Sequence, residues 1–237
     1  MNISDLQKEW EKFGKEDPLW AVLTWPEKKD NKWNLDEFFG TGKTEINSLI
    51  KYINTLQIQI PKAKALDFGC GVGRTTQPLA NYFDQVYGVD ISLPMIELAR
   101  KYNQHNNCSY YLNTKAYLTI FEDNYFNFIY SNIVLQHMDP QLSKQYLKEL
   151  IRVLAPRGLF IFQLPSEENL YGVKKIKRLI KNNLPPLILN FLYKLGLGEK
   201  SKWNERKNPI LPRQLVRYAK KEKISEFTTP LLLARNA

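Results

Sequence analysis

Three glycines spaced by two close the segment Ala65-Leu66-Asp67-Phe68-Gly69-Cys70-Gly71-Val72-Gly73-Arg74, and an acid, Asp67, precedes them. Glycines after an apolar run let the backbone turn sharply and approach a ligand that a Cβ would exclude. A second apolar run, Val86-Tyr87-Gly88-Val89-Asp90, also ends in an acid. A glycine loop after one strand and an acid at the tip of the next form a grip for a nucleoside at the C-terminal edge of a parallel sheet. The dinucleotide fingerprint G-x-G-x-x-G is not met, because its third glycine would fall on Arg74. Asp67 also disfavours a pyrophosphate and favours a nucleoside that carries positive charge. A base for proton transfer is available in His137, whose intrinsic pKa lies near neutrality. The other histidine, His105, sits in the polar run Asn103-Gln104-His105-Asn106-Asn107 and reads as a solvent-facing loop residue.

These residues need a frame of alternating strands and helices. The pattern predicts strands at 64–68, 86–90, 109–113, 126–131 and 159–164, with helices at 74–83, 93–103 and 141–154. Leu142, Tyr146, Leu150 and Leu154 recur every four residues along the last of these helices. Pro78 interrupts the first and predicts a kink or a delayed start. Pro156-Arg157-Gly158 predicts a turn before the strand at 159. Upstream, Leu6, Trp10 and Phe13 share one helical face, and Asp17-Pro18 breaks that helix. Trp20, Trp25, Trp33, Phe38 and Phe39 form a poorly periodic aromatic stretch that either covers a sheet edge or lines a substrate pocket. Gly40-Thr41-Gly42-Lys43-Thr44 resembles the end of a phosphate-binding loop, but Glu37 stands where that motif needs glycine. It reads as a loop opening the next helix, with Thr44 as its N-cap.

The glycine loop with both acids resembles motif I and the following acid of the class I S-adenosylmethionine-dependent methyltransferases. Tyr125-Phe126-Asn127-Phe128-Ile129-Tyr130-Ser131 is similar to the family's fourth strand, F-D-x-I-x-S, with Asn127 for the acid. Val134-Leu135-Gln136-His137-Met138 resembles its L-x-H segment, and Arg152-Val153-Leu154-Ala155-Pro156-Arg157-Gly158 its R-V-L-x-P-G-G turn, with Arg157 for a glycine. The resemblance covers about residues 60–165. It implies an α/β, Rossmann-like, doubly wound and mostly parallel seven-stranded sheet, with an N-terminal helical extension and a helical insertion after the fifth strand. The implied cofactor is S-adenosyl-L-methionine and no metal is implied. Asp67 then contacts the cofactor's amino-acid end, backbone N–H groups after Gly69 and Gly71 line its methionine and ribose, and Cys70 and Gly73 complete the loop. Asp90 takes both ribose hydroxyls, Ile91 and Met95 pack on the adenine, Asn113 accepts from the adenine amino group, and Ser131 closes the site from the fourth strand. His137 becomes the catalytic base for a hydroxyl acceptor.

The division expected is an N-terminal helical cap over 1–60, a cofactor-binding core over 61–165, an insertion or lid over 166–212, and a completing helix and hairpin over 213–237. Lys223 to Thr228 and Leu231 to Arg235 are the candidate hairpin strands. The chain's net charge of +10 lies in its C-terminal third. Such asymmetry suits an acidic partner or a solvated lysine-rich face. Within it, residues 173–195 set a basic amphipathic stretch beside an apolar one, which reads as a substrate lid or as a peripheral membrane contact. Two cysteines, Cys70 and Cys108, make no disulfide framework, and the opening residues show no secretory pattern, so a cytoplasmic location is expected. No [DN]-P-P-[YFW] segment follows the fourth strand and neither cysteine has the context of a 5-methylcytosine enzyme. The leading expectation is therefore O-methylation of a small-molecule or glycan-type acceptor. RNA methylation through the basic third ranks second, and a non-catalytic cofactor-binding protein third.

Overall fold

The computed structural model describes residues 2–163 and the strands at 215–219 and 231–235. The residues 166–212 of the expected insertion, the stretch 173–195 within it, and the candidate strand Lys223 to Thr228 lie outside them. The chain opens with α1 (Ile3–Glu16), capped by Asn2, whose side chain accepts from the Asp5 N–H. Asp17 ends α1, and Pro18, which needs no N–H partner at a first helical position, starts α2 (Pro18–Val22).

Helix α3 spans Leu35–Thr55, so Gly40 to Thr44 is helix and not the loop that the sequence pattern suggested. The cap lies earlier, at Asn34, whose Oδ1 accepts from the Glu37 N–H. Gly42 has a packing reason: a Cβ there would stand 2.0 Å from the carbonyl oxygen of Arg74. The bare backbone is what lets α3 press on the segment after the first strand.

From there strands and helices alternate: β1 (Lys64–Phe68), α4 (Thr76–Leu79), β2 (Gln85–Asp90), α5 (Leu93–Tyr102), β3 (Cys108–Leu112), β4 (Phe126–Ser131), α6 (Pro140–Val153) and β5 (Leu154–Phe162). These five strands lie in the order β3-β2-β1-β4-β5. All their pairings are parallel. Order reverses between β1 and β4, and that switch opens a crevice at the C-terminal edge where ligands bind in open α/β sheets. Strand β7 (Leu231–Arg235) pairs antiparallel with β5 and pairs in turn with β6 (Leu215–Ala219).

Alternation along β1 sets the two layers. Ala65 faces a core made with Ile46, Leu49 and Ile53 of α3 and Ile96 of α5. Leu66 and Phe68 face the other, made with Tyr146, Leu150 and Val153 of α6. Each fully buried Leu, Ile or Phe contributes about 1.5–3 kcal/mol relative to exposure, so both layers hold the strand tips firmly.

Two elements differ from the pattern's boundaries. Helix α4 has four residues rather than the ten expected, because Pro78 lacks an N–H and the chain rounds the glycine turn before it can coil. Strand β5 begins at Leu154, straight out of α6, with a register shift against β4 where a separate turn was expected. Arg157 takes φ +64° there, a left-handed conformation that favours the glycine it replaces.

Candidate active site

The glycine loop is shaped by three left-handed residues, Gly69, Gly71 and Gly73, at φ +76°, +53° and +84°. Side chains press on it from two directions. A Cβ on Gly69 would stand 2.3 Å from Val134, and one on Gly71 would stand 2.7 Å from Val22. The loop's amides are largely committed inside the protein. The Gly69 and Cys70 N–H groups both donate to the Val89 carbonyl, at 2.7 and 3.0 Å. The Gly71 N–H donates to Asp90 Oδ2 at 2.8 Å. The N–H groups of Cys70 and Gly71 are thereby engaged within the protein and hold the shape of the loop.

Asp90 ends β2 and binds the loop from below. Its Oδ1 accepts from the Ser92 N–H at 2.9 Å. Burial raises its pKa, opposed by the backbone N–H groups of Ser92, Gly71 and Ile91. Each carboxylate oxygen has a second lone pair, so the group can still receive two hydroxyls. Asn113, just past β3, is tied to the same place: its N–H donates to the Asp90 carbonyl and its Nδ2 to the Lys115 carbonyl. Gly69, Gly71, Asp90, Ile91, Met95 and Asn113 all face one cleft.

Four of the residues singled out in the sequence stand behind this cleft rather than on its wall. Asp67 is 2% exposed, and its Oδ2 accepts from Thr75 Oγ1 and Thr76 Oγ1 at 2.8 and 2.7 Å. Alternation explains it: Asp67 shares Ala65's face and points under the loop. Burial raises its pKa to about 6 against the lowering effect of the two hydroxyls and of Arg74. Cys70 and Ser131 are buried, and Gly73 packs on Tyr110, whose hydroxyl a Cβ would meet at 2.7 Å.

The rest of the cleft's wall is built by elements remote in sequence. Leu6 and Trp10 of α1, Val22 of α2, and Asn132 to Val134 with His137 line it as well. Ser92 Oγ donates to the Trp10 carbonyl and anchors α1 there. The His137 ring meets the Trp10 ring edge-on, with centroids 5.6 Å apart. Partial burial lowers the His137 pKa from its ordinary value, which keeps the imidazole neutral at pH 7. Ile133 has φ +59°, rare for a β-branched residue and a strain of the kind that collects at functional sites. Behind Asn132, Glu45 of α3 accepts from Asn132 Nδ2 and the Tyr130 hydroxyl with Oε1, and pairs with Arg74 through Oε2 at 2.8 Å. Sequence reasoning named Trp10 only as a helix-face residue and missed Asn132, Ile133 and Glu45. The last had no local signal, because its partners lie far along the chain.

A parallel α/β sheet with a glycine turn after its first strand, an acid at the next strand tip and a cleft over the switch point defines a Rossmann-like nucleoside-cofactor domain. Residues 66–162 match the family model for a methyltransferase domain. Within those residues the chain carries a methyltransferase domain of the class I S-adenosylmethionine-dependent kind. It is 29% identical over 144 residues to the tRNA N(3)-methylcytidine methyltransferase of Drosophila melanogaster, a match covering 57% of this chain and 42% of the relative. It is 28% identical over 151 residues to the malonyl-[acyl-carrier protein] O-methyltransferase of Buchnera aphidicola, covering 63% and 57%. The chain thus spans about half the length of the curated relatives it matches. The fold is shared with phosphoethanolamine N-methyltransferase 1 of Haemonchus contortus, solved with phosphoethanolamine and S-adenosylhomocysteine. That match has 17% identity and a TM-score of 0.55, covering 72% of this chain and 34% of that one.

Proposed function

We propose that this protein transfers a methyl group from S-adenosylmethionine to the hydroxyl of a small-molecule or glycan-type acceptor. The observation that carries the reading is that Asp90, the glycine loop and His137 line one cleft. In this reading the Asp90 carboxylate receives the ribose hydroxyls in charge-assisted hydrogen bonds, and Met95 and Ile91 hold the adenine. Asn113 reads the adenine amino group. When bound, S-adenosylmethionine supplies a methyl group activated by its sulfonium. Holding the acceptor oxygen in line with that methyl supplies much of the rate. His137 would take the acceptor's hydroxyl proton, and the burial that lowers its pKa favours the neutral imidazole this needs. Trp10, Leu6 and Val22 keep water from the reacting end.

The finer architecture belongs to the same reading: a cap over 1–60, a core over 61–165, a substrate lid over 166–212 and a sheet completed to seven strands by 213–237. The protein is then cytoplasmic, with any membrane contact confined to 173–195. Among the described residues no helix is long and apolar enough to cross a membrane. RNA is the second reading, favoured by the basic C-terminal third and by the tRNA methyltransferase among the relatives. Radiolabelled cofactor offered to extract separated into small-molecule, lipid, RNA and protein fractions decides between them. Label in the small-molecule fraction is expected, and label confined to RNA would replace the first reading with the second.

A further inference from the structure

The polar groups of the cleft follow the strand tips in spatial order: Asn113 after β3, Asp90 on β2, the glycine loop after β1, then Asn132 after β4. Under the cofactor reading, on which this inference rests, adenosine occupies the Asn113–Asp90 end and the amino-acid tail runs toward Asn132. That tail carries an α-ammonium, which needs acceptors and is repelled by donors. Asp67 is the acid that the sequence offers for it, but Asp67 lies under the loop with Thr75 and Thr76 and does not face the cleft. Asn132 does face it.

The orientation of the Asn132 amide is fixed from behind. Glu45 Oε1, 2.9 Å from Asn132 Nδ2, offers only an acceptor, so the amide must turn its NH₂ toward Glu45. Glu45 is itself held by the Arg74 guanidinium and the Tyr130 hydroxyl. This leaves Oδ1 as the amide's remaining polar atom, and among the described residues none donates to it. We propose that Asn132 receives the α-ammonium of the cofactor's amino-acid tail through Oδ1, and that Glu45 is the positioning residue that keeps this oxygen, rather than the NH₂, toward the cleft. A flipped amide would set a donor against a cation.

The test compares two ligands with the same adenosine. S-adenosylhomocysteine has the amino-acid tail and 5′-methylthioadenosine lacks it. By calorimetry, Asn132→Ala should bind S-adenosylhomocysteine roughly 10-fold or more weaker, the value of a hydrogen bond to a charged group, and bind 5′-methylthioadenosine within about twofold of wild type. Glu45→Gln can donate as well as accept, so the amide loses its fixed sense. This variant should show a smaller selective loss of roughly threefold or more, with 5′-methylthioadenosine again unaffected. A general weakening of both ligands by Asn132→Ala would mean a structural role and overturn the proposal, as would undiminished binding of S-adenosylhomocysteine. Wild-type protein that binds neither ligand would instead overturn the cofactor reading itself.

Discussion

The wall of the cleft is built in two ways. Around Asp90 the polar groups are fixed by backbone: two loop amides meet the Val89 carbonyl, a third meets Asp90, and Asn113 donates back to the Asp90 carbonyl. All of these sit on or beside strand tips of one parallel sheet. The rest of the wall is side chains from α1, α2 and the segment after β4, joined by ring packing and by the Ser92–Trp10 bond. The backbone there is strained at Ile133. A short, local motif can thus hold one part of a cleft, whereas the rest is assembled from distant parts that can vary independently.

The sharpest way to break this contrast is at His137. His137→Ala should lower turnover by roughly 10²–10⁴-fold while leaving cofactor affinity nearly unchanged. Steady-state rates beside calorimetry check this, and a variant with wild-type turnover would return His137 to a structural role at the mouth.

Asp67 tests the buried side of the loop. Its folded pKa of about 6 lies above the ordinary 3.8, so the folded state holds the extra proton between those values. Stability should therefore be greatest below about pH 4 and fall as pH rises through 6, by on the order of 3 kcal/mol for this group. Denaturant titrations across that range should show the slope in wild type and its reduction in Asp67→Asn, which cannot ionise. Parallel curves would assign the slope to other carboxyls.

A smaller effect is expected at the seat of α3. Gly42→Ala gains about 1 kcal/mol of helix propensity but drives a Cβ into the Arg74 carbonyl. A net loss of about 1–3 kcal/mol is expected from such overpacking. Thermal denaturation checks it, and a stabilised variant would show that α3 can retreat from the loop without cost.

The same contrast explains what could be read from the sequence. The alternation of strands and helices over 64–162 was legible because each strand is short, apolar and followed by turn residues. Asp90 and the loop glycines stood out because their spacing is local. The helix through Gly40 to Thr44 was not legible: the glycines there look like a loop, and only the contact of Gly42 with Arg74 gives them a reason. The early start of β5 was hidden by Pro156 and Gly158, which read as a turn. Asp67 was correctly placed on its strand, but its side was decided by pleat alternation, which turns it under the loop. Glu45 and Asn132 meet only after the sheet forms, and no local pattern couples a helix carboxylate to a loop amide so far along the chain.

The central claim is that the glycine loop and Asp90 grip S-adenosylmethionine by its ribose. Calorimetry of S-adenosylhomocysteine and of NAD against wild type and Asp90→Ala tests it most directly. Wild type should bind S-adenosylhomocysteine in preference to NAD, and Asp90→Ala should lose about 1.5–3 kcal/mol, the value of hydrogen bonds to a charged group. Tighter binding of NAD, or an Asp90→Ala variant that binds S-adenosylhomocysteine as well as wild type does, would contradict the account.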